Sequence, residues 1–342
     1  MSAAASAAPA PGTIPLEQRI AAFQQRFAAL RAAIGTAIVG QQELIDDCLV
    51  AMHIHGHVLL EGVPGLGKTS LVRTLSKVFN LSFGRVQCTP DLMPSDILGT
   101  HVVHEDEHGH RSFRFERGPV FRNLLLVDEI NRATPKTQAA LLEVMQERQV
   151  TAGQERMALP SPFFVLATQN PVEMEGTYPL PEAQLDRFAF KLTVRFPGAD
   201  DLIAIARATT GFSEAAIAEV MGGVELEQAV ELCAQVPVAE PLLRYAANLV
   251  LASHPDRPEA PAAIRSYASY GASPRALQVL VRAARVQALL AGRAAVTAAD
   301  LRRVARPALR HRIIRNFEGE AQGIAGDALV EAVLAGVAEP GA

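Results

Sequence analysis

The turn Gly62-Val63-Pro64-Gly65-Leu66-Gly67-Lys68-Thr69-Ser70, with three glycines and a lysine, constrains the fold more than any other stretch. Just before it Val58, Leu59 and Leu60 run together between polar ends, which predicts a short buried strand. Just after it Leu71, Val72, Leu75, Val78 and Phe79 recur at helical spacing, so strand, turn and helix follow one another directly. Glycine at 62, 65 and 67 lets successive backbone N–H groups converge on one anion at a helix N-terminus, where the dipole favours negative charge. Lys68 then reaches toward β- and γ-phosphates, and the Thr69 hydroxyl is placed to ligate Mg²⁺, as expected of G-x-x-x-x-G-K-[ST] in this setting. Residues 62–70 are therefore the candidate nucleotide cradle.

Hydrolysis needs carboxylates as well. Leu124-Leu125-Leu126-Val127-Asp128-Glu129 reads as a buried parallel strand whose tip carries two acids. Asp128 is placed to hold the Mg²⁺ shell, and Glu129 to orient and polarise an attacking water. A helix follows, capped by Thr134 with Pro135 in its first turn and an apolar stripe of Ala140, Leu141, Val144 and Met145. Phe163 to Ala167 predicts a further buried strand. Asn170, just beyond it, either holds the attacking water or makes a turn before Pro171.

A chain of 342 residues with 49% hydrophobic content can bury two cores, and two domains are expected. Residues 1–13, rich in Ala, Ser and Pro, read as a disordered tail without the features of a secretory signal. Residues 14–198 carry the α/β pattern and 199–342 a helical one. No apolar run suffices to cross a membrane, and Cys48, Cys88 and Cys233 form no C-x-x-C, so a reducing cytoplasm fits. A net charge of −4 argues against a chain wrapped over its surface by nucleic acid.

Residues 62–69, LVDEINR at 126–132, ATQNP at 167–171, EGTYPLP at 175–181 and EAQLDRF at 182–188 together resemble the MoxR family of AAA+ ATPases, in the family's order. The resemblance implies a P-loop NTPase fold, a parallel sheet flanked by helices, with a C-terminal all-α lid domain. It makes Lys68 and Thr69 the Walker A residues, Asp128 and Glu129 the Walker B residues, Asn170 the sensor of the γ-phosphate and Arg187 the arginine finger. Locally, Asp186-Arg187-Phe188 reads only as a surface pair beside a core Phe. Val39, Gly40 and Gln41 resemble the segment that packs near adenine, and Arg275, behind the helix start Ser273-Pro274, becomes the second sensor, in cis or in trans. An arginine lent to a neighbour's ATP requires a ring, expected to be hexameric.

The stretch between Lys68 and Asp128 is longer than a minimal sheet needs. Residues 99–103 and 111–117 predict a hairpin resembling the helix-2 insert of that branch, with Phe113 and Phe115 on one side, and residues 149–160 predict a second. His101, His104, His108 and His110 cluster in the first hairpin, and His53, His55 and His57 alternate before the cradle. Alternation of this kind fits strand pairing or partner contacts better than a metal site. Thr297 to Asp300 opens a helix in capping-box form. Arg302, Arg303, Arg306, Arg310, Arg312 and Arg315 make a basic run without interleaved aromatics, which reads as a solvated face or as inter-subunit ion pairs rather than a nucleic-acid surface.

The expected function is Mg²⁺-dependent ATP hydrolysis coupled to chaperone-like remodelling, maturation or cofactor insertion of a partner protein. The loop Thr89-Pro90-Asp91-Leu92-Met93-Pro94 lacks the aromatic-hydrophobic-glycine grip of threading unfoldases. The family typically works with a von Willebrand factor A domain protein. Because no D-x-S-x-S occurs here, that partner would be a separate chain. A nucleic-acid-dependent AAA+ motor and a small-molecule kinase are the alternatives.

Overall fold

The computed structural model describes residues 15–63, 65–105, 108, 111–153, 155–170, 176–209 and 217–341. The tail read over 1–13, Pro64, residues 106, 107 and 109 and His110 of the first hairpin's tip, Gln154, and residues 171–175 of the ATQNP and EGTYPLP blocks lie outside the described residues. Helices α1 (Leu16–Gly35) and α2 (Gln42–Met52) lead into β1 (Val58–Glu61), and α3 (Lys68–Val78) follows the glycine turn. After β2 (Phe83–Gln87) come the short α4 (Pro94–Leu98) and an antiparallel hairpin of β3 (Gly99–Glu105) and β4 (Arg111–Arg117). Next are β5 (Leu124–Asp128), α5 (Pro135–Glu147) and a second hairpin of β6 (Gln149–Ala152) and β7 (Glu155–Ala158). The α/β part ends with β8 (Phe164–Gln169), α6 (Glu182–Leu185) and β9 (Phe190–Thr193).

Helices then dominate: α7 (Ala199–Thr209), α8 (Gly223–Gln235), α9 (Glu240–Ala252), α10 (Ala262–Tyr267), α11 (Pro274–Leu290), α12 (Ala298–Leu309), α13 (Phe317–Ala321) and α14 (Gly326–Gly336). A two-strand pair, β10 (Ala268–Tyr270) with β11 (Ile314–Arg315), ties this region together. The capping box that opens α12 is present, with the Thr297 N–H donating to Asp300 Oδ2 at 2.8 Å.

The central sheet is parallel with order β2-β5-β8-β1-β9. Its inner strands β5, β8 and β1 are largely apolar runs because both faces are covered, whereas the edge strands β2 and β9 carry polar residues in between. Alternate side chains divide between two cores. Val58, Leu60, Leu124, Leu126 and Leu166 face α1, α2 and α3, and this core continues into α11, α12 and α14 through Leu280, Leu301 and Val330. Leu59, Leu125, Val127, Val165 and Ala167 face the opposite way, against Leu141, Leu142 and Met145 of α5. The carboxyl ends of β1, β5 and β8 thereby lie side by side, held by two packed layers.

Two expectations are corrected. His53, His55 and His57 do not alternate along a strand. His53 closes α2, its ring bonded to Leu49 O at 2.7 Å and set between Phe23 and Phe27. His55 sits in a turn at φ 53° beside Glu227, and His57 precedes β1. Among the described residues, no group of three or more His, Cys, Asp or Glu is arranged to hold a metal ion. The basic run, likewise, is neither a bare face nor reserved for a neighbour. Arg302 pairs with Glu339, Arg303 with Asp47, Arg306 with Glu331, Arg310 with Asp327, Arg312 with Asp186 and Arg315 with Glu320. Among the described residues, no helix is long and apolar enough to cross a membrane.

Candidate nucleotide site

The cradle forms where β1 hands over to α3. Gly65 and Gly67 stand at φ 83° and 76°, a left-handed region that side chains with a Cβ avoid, and Gly67 caps α3. Gly62 is required for a different reason, since a Cβ there would meet the Cβ of Val194 at 2.9 Å. Val63, Gly65, Gly67 and Ser70 are exposed, while Leu66 packs on the first core and anchors the loop. Lys68 is half-buried and donates from Nζ to Gly62 O at 2.6 Å. Burial holds its pKa below the usual lysine range, opposed by Asp128 and Glu129.

Gly65, Gly67, Lys68 and Thr69 of the cradle line one cleft of about 220 Å³ with Asp128, Glu129 and Asn170, together with Arg85, Gln87 and Thr168. Asp128 ends β5 and is buried; Asn170 follows β8 and is buried too. Glu129 takes the left-handed conformation at φ 55°, an unfavourable state for a non-glycine residue. Its N–H donates to Thr168 Oγ1 at 2.9 Å, and its carboxylate accepts from Gln87 Nε2 at 3.0 Å. The Thr168 hydroxyl in turn donates to Asp128 Oδ1 at 3.2 Å. A hydroxyl at Thr69 and a carboxylate at Asp128 beside an anion cradle suit Mg²⁺, a hard cation that takes few protein oxygens and fills its shell with phosphate oxygens and water.

Arg187 and Arg275 are elsewhere. They line a second cleft with Gln146, Arg148, Asp186, Arg282 and Arg312, and no residue is common to the two linings. Arg187 donates through Nη1 to Leu142 O, while its buried Nε has no partner among the described residues. Arg275 sits at the start of α11, where its N–H is capped by Ser273 Oγ at 3.1 Å and its guanidinium reaches Gln146 Oε1 at 3.1 Å. Asp186 organises the cleft, accepting from Ser273 Oγ at 2.7 Å and from Arg312 Nε at 2.8 Å. Arg312 is buried and also donates to the carbonyls of Phe188 and Ala189 at 2.7 and 3.0 Å. Burial lowers its pKa, opposed by Asp186. Arginines thus outnumber the single acid Asp186 in this cleft, which fits it for an anion.

A third hollow borders the end of β9, whose Thr193 pairs with Glu61 just before the cradle. Gly40, Gln41, Asp47, Thr193, Arg306, Arg310 and Asp327 line it, while Val39 is half-buried beside it in sequence and is not part of the lining. Arg310 bridges Thr193 Oγ1 and Asp327 Oδ2, each at 3.1 Å, joining the sheet to the helical region.

Several lining residues had no motif to announce them. Thr168 is a buried polar residue directly after the apolar run Phe164 to Ala167 of a central strand, which is a readable signal. Arg85 and Gln87 alternate with buried Val86 on β2, but which acids they face depends on the register of β2 with β5. Arg148, Arg282 and Arg312 converge from three separate segments, and no spacing in the chain reveals that.

Comparison with known proteins agrees with this geometry. Residues 57–190 match the family described as ATPase family associated with various cellular activities (AAA), and residues 261–333 match the AAA lid domain. The chain is 42% identical over 303 residues to Chaperone MoxR1 of Mycobacterium tuberculosis, covering 89% of this chain and 79% of that one. It is 34% identical to Protein MoxR of Paracoccus denitrificans, covering 96% of this chain and 100% of the relative. A crystal structure of a protein from Cytophaga hutchinsonii superposes with a TM-score of 0.87 at 39% identity, covering 94% of this chain and 97% of that one.

Proposed function

This chain belongs to the MoxR family of AAA+ ATPases, and we propose that it hydrolyses Mg²⁺-bound ATP between the subunits of a ring, expected to be a hexamer, to remodel a partner protein. One observation carries the ring. Arg187 and Arg275 share a cleft that has no lining residue in common with the cleft of Lys68, Asp128, Glu129 and Asn170. A complete site then needs two copies, each giving one face. In this reading Lys68 neutralises the β- and γ-phosphates, and Thr69 and Asp128 hold the Mg²⁺, which shields phosphate charge when bound. Glu129 takes the proton of the attacking water, and Asn170 holds that water against the γ-phosphate. Arg187 and Arg275 arrive in trans to stabilise charge on the phosphoryl group as it transfers.

The hollow at Gly40 and Gln41 is the proposed seat of the base, with Val39 next to them in the chain. Residues 14–198 would form the nucleotide-binding domain and 199–342 the lid. The chaperone role follows the relative's name, and a von Willebrand factor A domain protein on a separate chain is the expected partner, in maturation or cofactor insertion. The three cysteines are free and buried, which fits a reducing cytoplasm. Nucleic-acid binding gains nothing from the structure, because the arginine run is already neutralised within the chain.

ATP turnover per subunit measured over a range of protein concentration tests the reading. Turnover should rise steeply through the assembly concentration. A constant value down to dilutions where sizing shows only single chains would overturn the shared site.

A further inference from the structure

Asp128 already has a cation. Arg85, on β2, donates from Nε to Asp128 Oδ2 at 2.9 Å, and its Nη2 lies 2.8 Å from the same oxygen. The other oxygen accepts from Thr168. The fork continues sideways, with Arg85 Nη2 donating to Gln87 Oε1 at 3.1 Å and Gln87 Nε2 reaching Glu129. One hydrogen-bonded chain along the edge of β2 thus spans both acids, and parallel pairing of Gln87 with Asp128 sets it there.

A guanidinium and a divalent cation cannot both take Asp128 Oδ2 at close range, because like charges a few ångströms apart repel strongly away from bulk water. Arg85 can leave: its side chain is 47% exposed, whereas that of Asp128 is 11% exposed and fixed by Thr168. The pair is also useful. With Arg85 in place, incoming phosphates meet Lys68 and a neutralised Asp128 rather than a bare carboxylate. We propose that Arg85 is a positioning residue, the exchangeable counter-ion of Asp128, and that its displacement sets how much Mg²⁺ the site needs. This rests on the reading that Lys68, Thr69 and Asp128 bind Mg²⁺ and ATP.

Binding of a fluorescent ATP analogue to the full chain, titrated with Mg²⁺ from excess chelator, tests the exchange without relying on turnover. In Arg85→Ala the half-saturating Mg²⁺ should fall on the order of threefold to tenfold, since a competitor worth a partly exposed ion pair is gone. Affinity in chelator should fall as well, because Asp128 then repels the phosphates. Arg85→Lys keeps the charge but loses the fork, so its midpoint should lie between the two; it also serves if the alanine variant does not fold. An unchanged Mg²⁺ midpoint in both variants would overturn the exchange. So would a loss of affinity equal with and without Mg²⁺, which would make Arg85 a direct phosphate ligand. Wild type and Asp128→Asn separate the levels. If wild type responds to Mg²⁺ and Asp128→Asn does not, a silent Arg85→Ala refutes this inference alone; a wild type indifferent to Mg²⁺ refutes the metal site and the inference with it.

Discussion

In the proposed reaction Glu129 would accept a proton from water while its backbone is bent into the left-handed region and its carboxylate accepts from Gln87. A group that acts on the water rather than on the phosphates matters for turnover and little for affinity. Glu129→Gln should keep ATP affinity within a few-fold of wild type and lower kcat by about 10²- to 10⁴-fold, the range of a general base. Lys68→Ala gives the opposite signature, with a loss in calorimetric ATP affinity, because a phosphate loses its half-buried counter-charge. Turnover of Glu129→Gln near wild type, or unchanged affinity in Lys68→Ala, would reverse these roles. Both residues were legible from the sequence, since each sits in a compact strand–turn context. Arg85 was not. Its meaning depends on Asp128 lying across a strand pair, and nothing adjacent to Arg85 in the chain refers to that acid.

Elements are where local pattern and tertiary packing part company. The buried strands and the helices α5, α11 and α12 follow their runs, stripes and caps, because both faces of a parallel sheet must be covered and a helix end must satisfy its free N–H groups. The histidines before β1 look like an alternating strand only when neighbours are ignored. His57 in fact pins the middle of the sheet. Its Nδ1 accepts from Val165 N at 3.0 Å and its Nε2 donates to Met145 O at 3.1 Å, a pattern that only the neutral ring satisfies. Burial pushes its pKa down to about 4 from 6.5. The unfolded chain therefore takes up this proton near pH 6.5 while the folded one resists until about pH 4. Stability from the neutral ring is complete above that window and declines as pH falls through it, by up to about 3 kcal/mol. His57→Gln keeps one donor and one acceptor but cannot titrate. Its denaturant midpoint, lower than wild type at pH 7.5, should approach or cross the wild-type value at pH 4. Parallel pH profiles for the two proteins would remove His57 from this account.

At the scale of the whole molecule, the folded chain carries two candidate clefts whose linings share no residue: one with Asp128 and Glu129 beside the glycine turn, and an arginine cleft organised by Asp186 and Arg312. The sequence pointed to Lys68, Asp128, Glu129 and Asn170 of the one and to Arg187 and Arg275 of the other, but neither to the remaining lining residues nor to the separation of the two clefts, because where α11 packs is decided by the shared core of α1, α2 and the helical region rather than by any motif. If the faces join between copies, they can be knocked out independently and recombined. Arg187→Ala should bind ATP yet turn it over roughly 10³-fold more slowly, by the usual worth of an arginine finger. Glu129→Gln should be comparably poor with its arginine intact. In a mixed ring, an interface that sets the Glu129 of an Arg187→Ala subunit against the Arg187 of a Glu129→Gln subunit is whole again. With random mixing at equal amounts about one interface in four is of this kind, so the mixture should regain up to roughly a quarter of wild-type turnover if interfaces act independently. The gain should vanish on dilution below the assembly concentration. If the two variants fold and co-assemble but the mixture never exceeds the sum of its parts, Arg187 does not act on a neighbour's ATP, and its cleft must be assigned to some other anion.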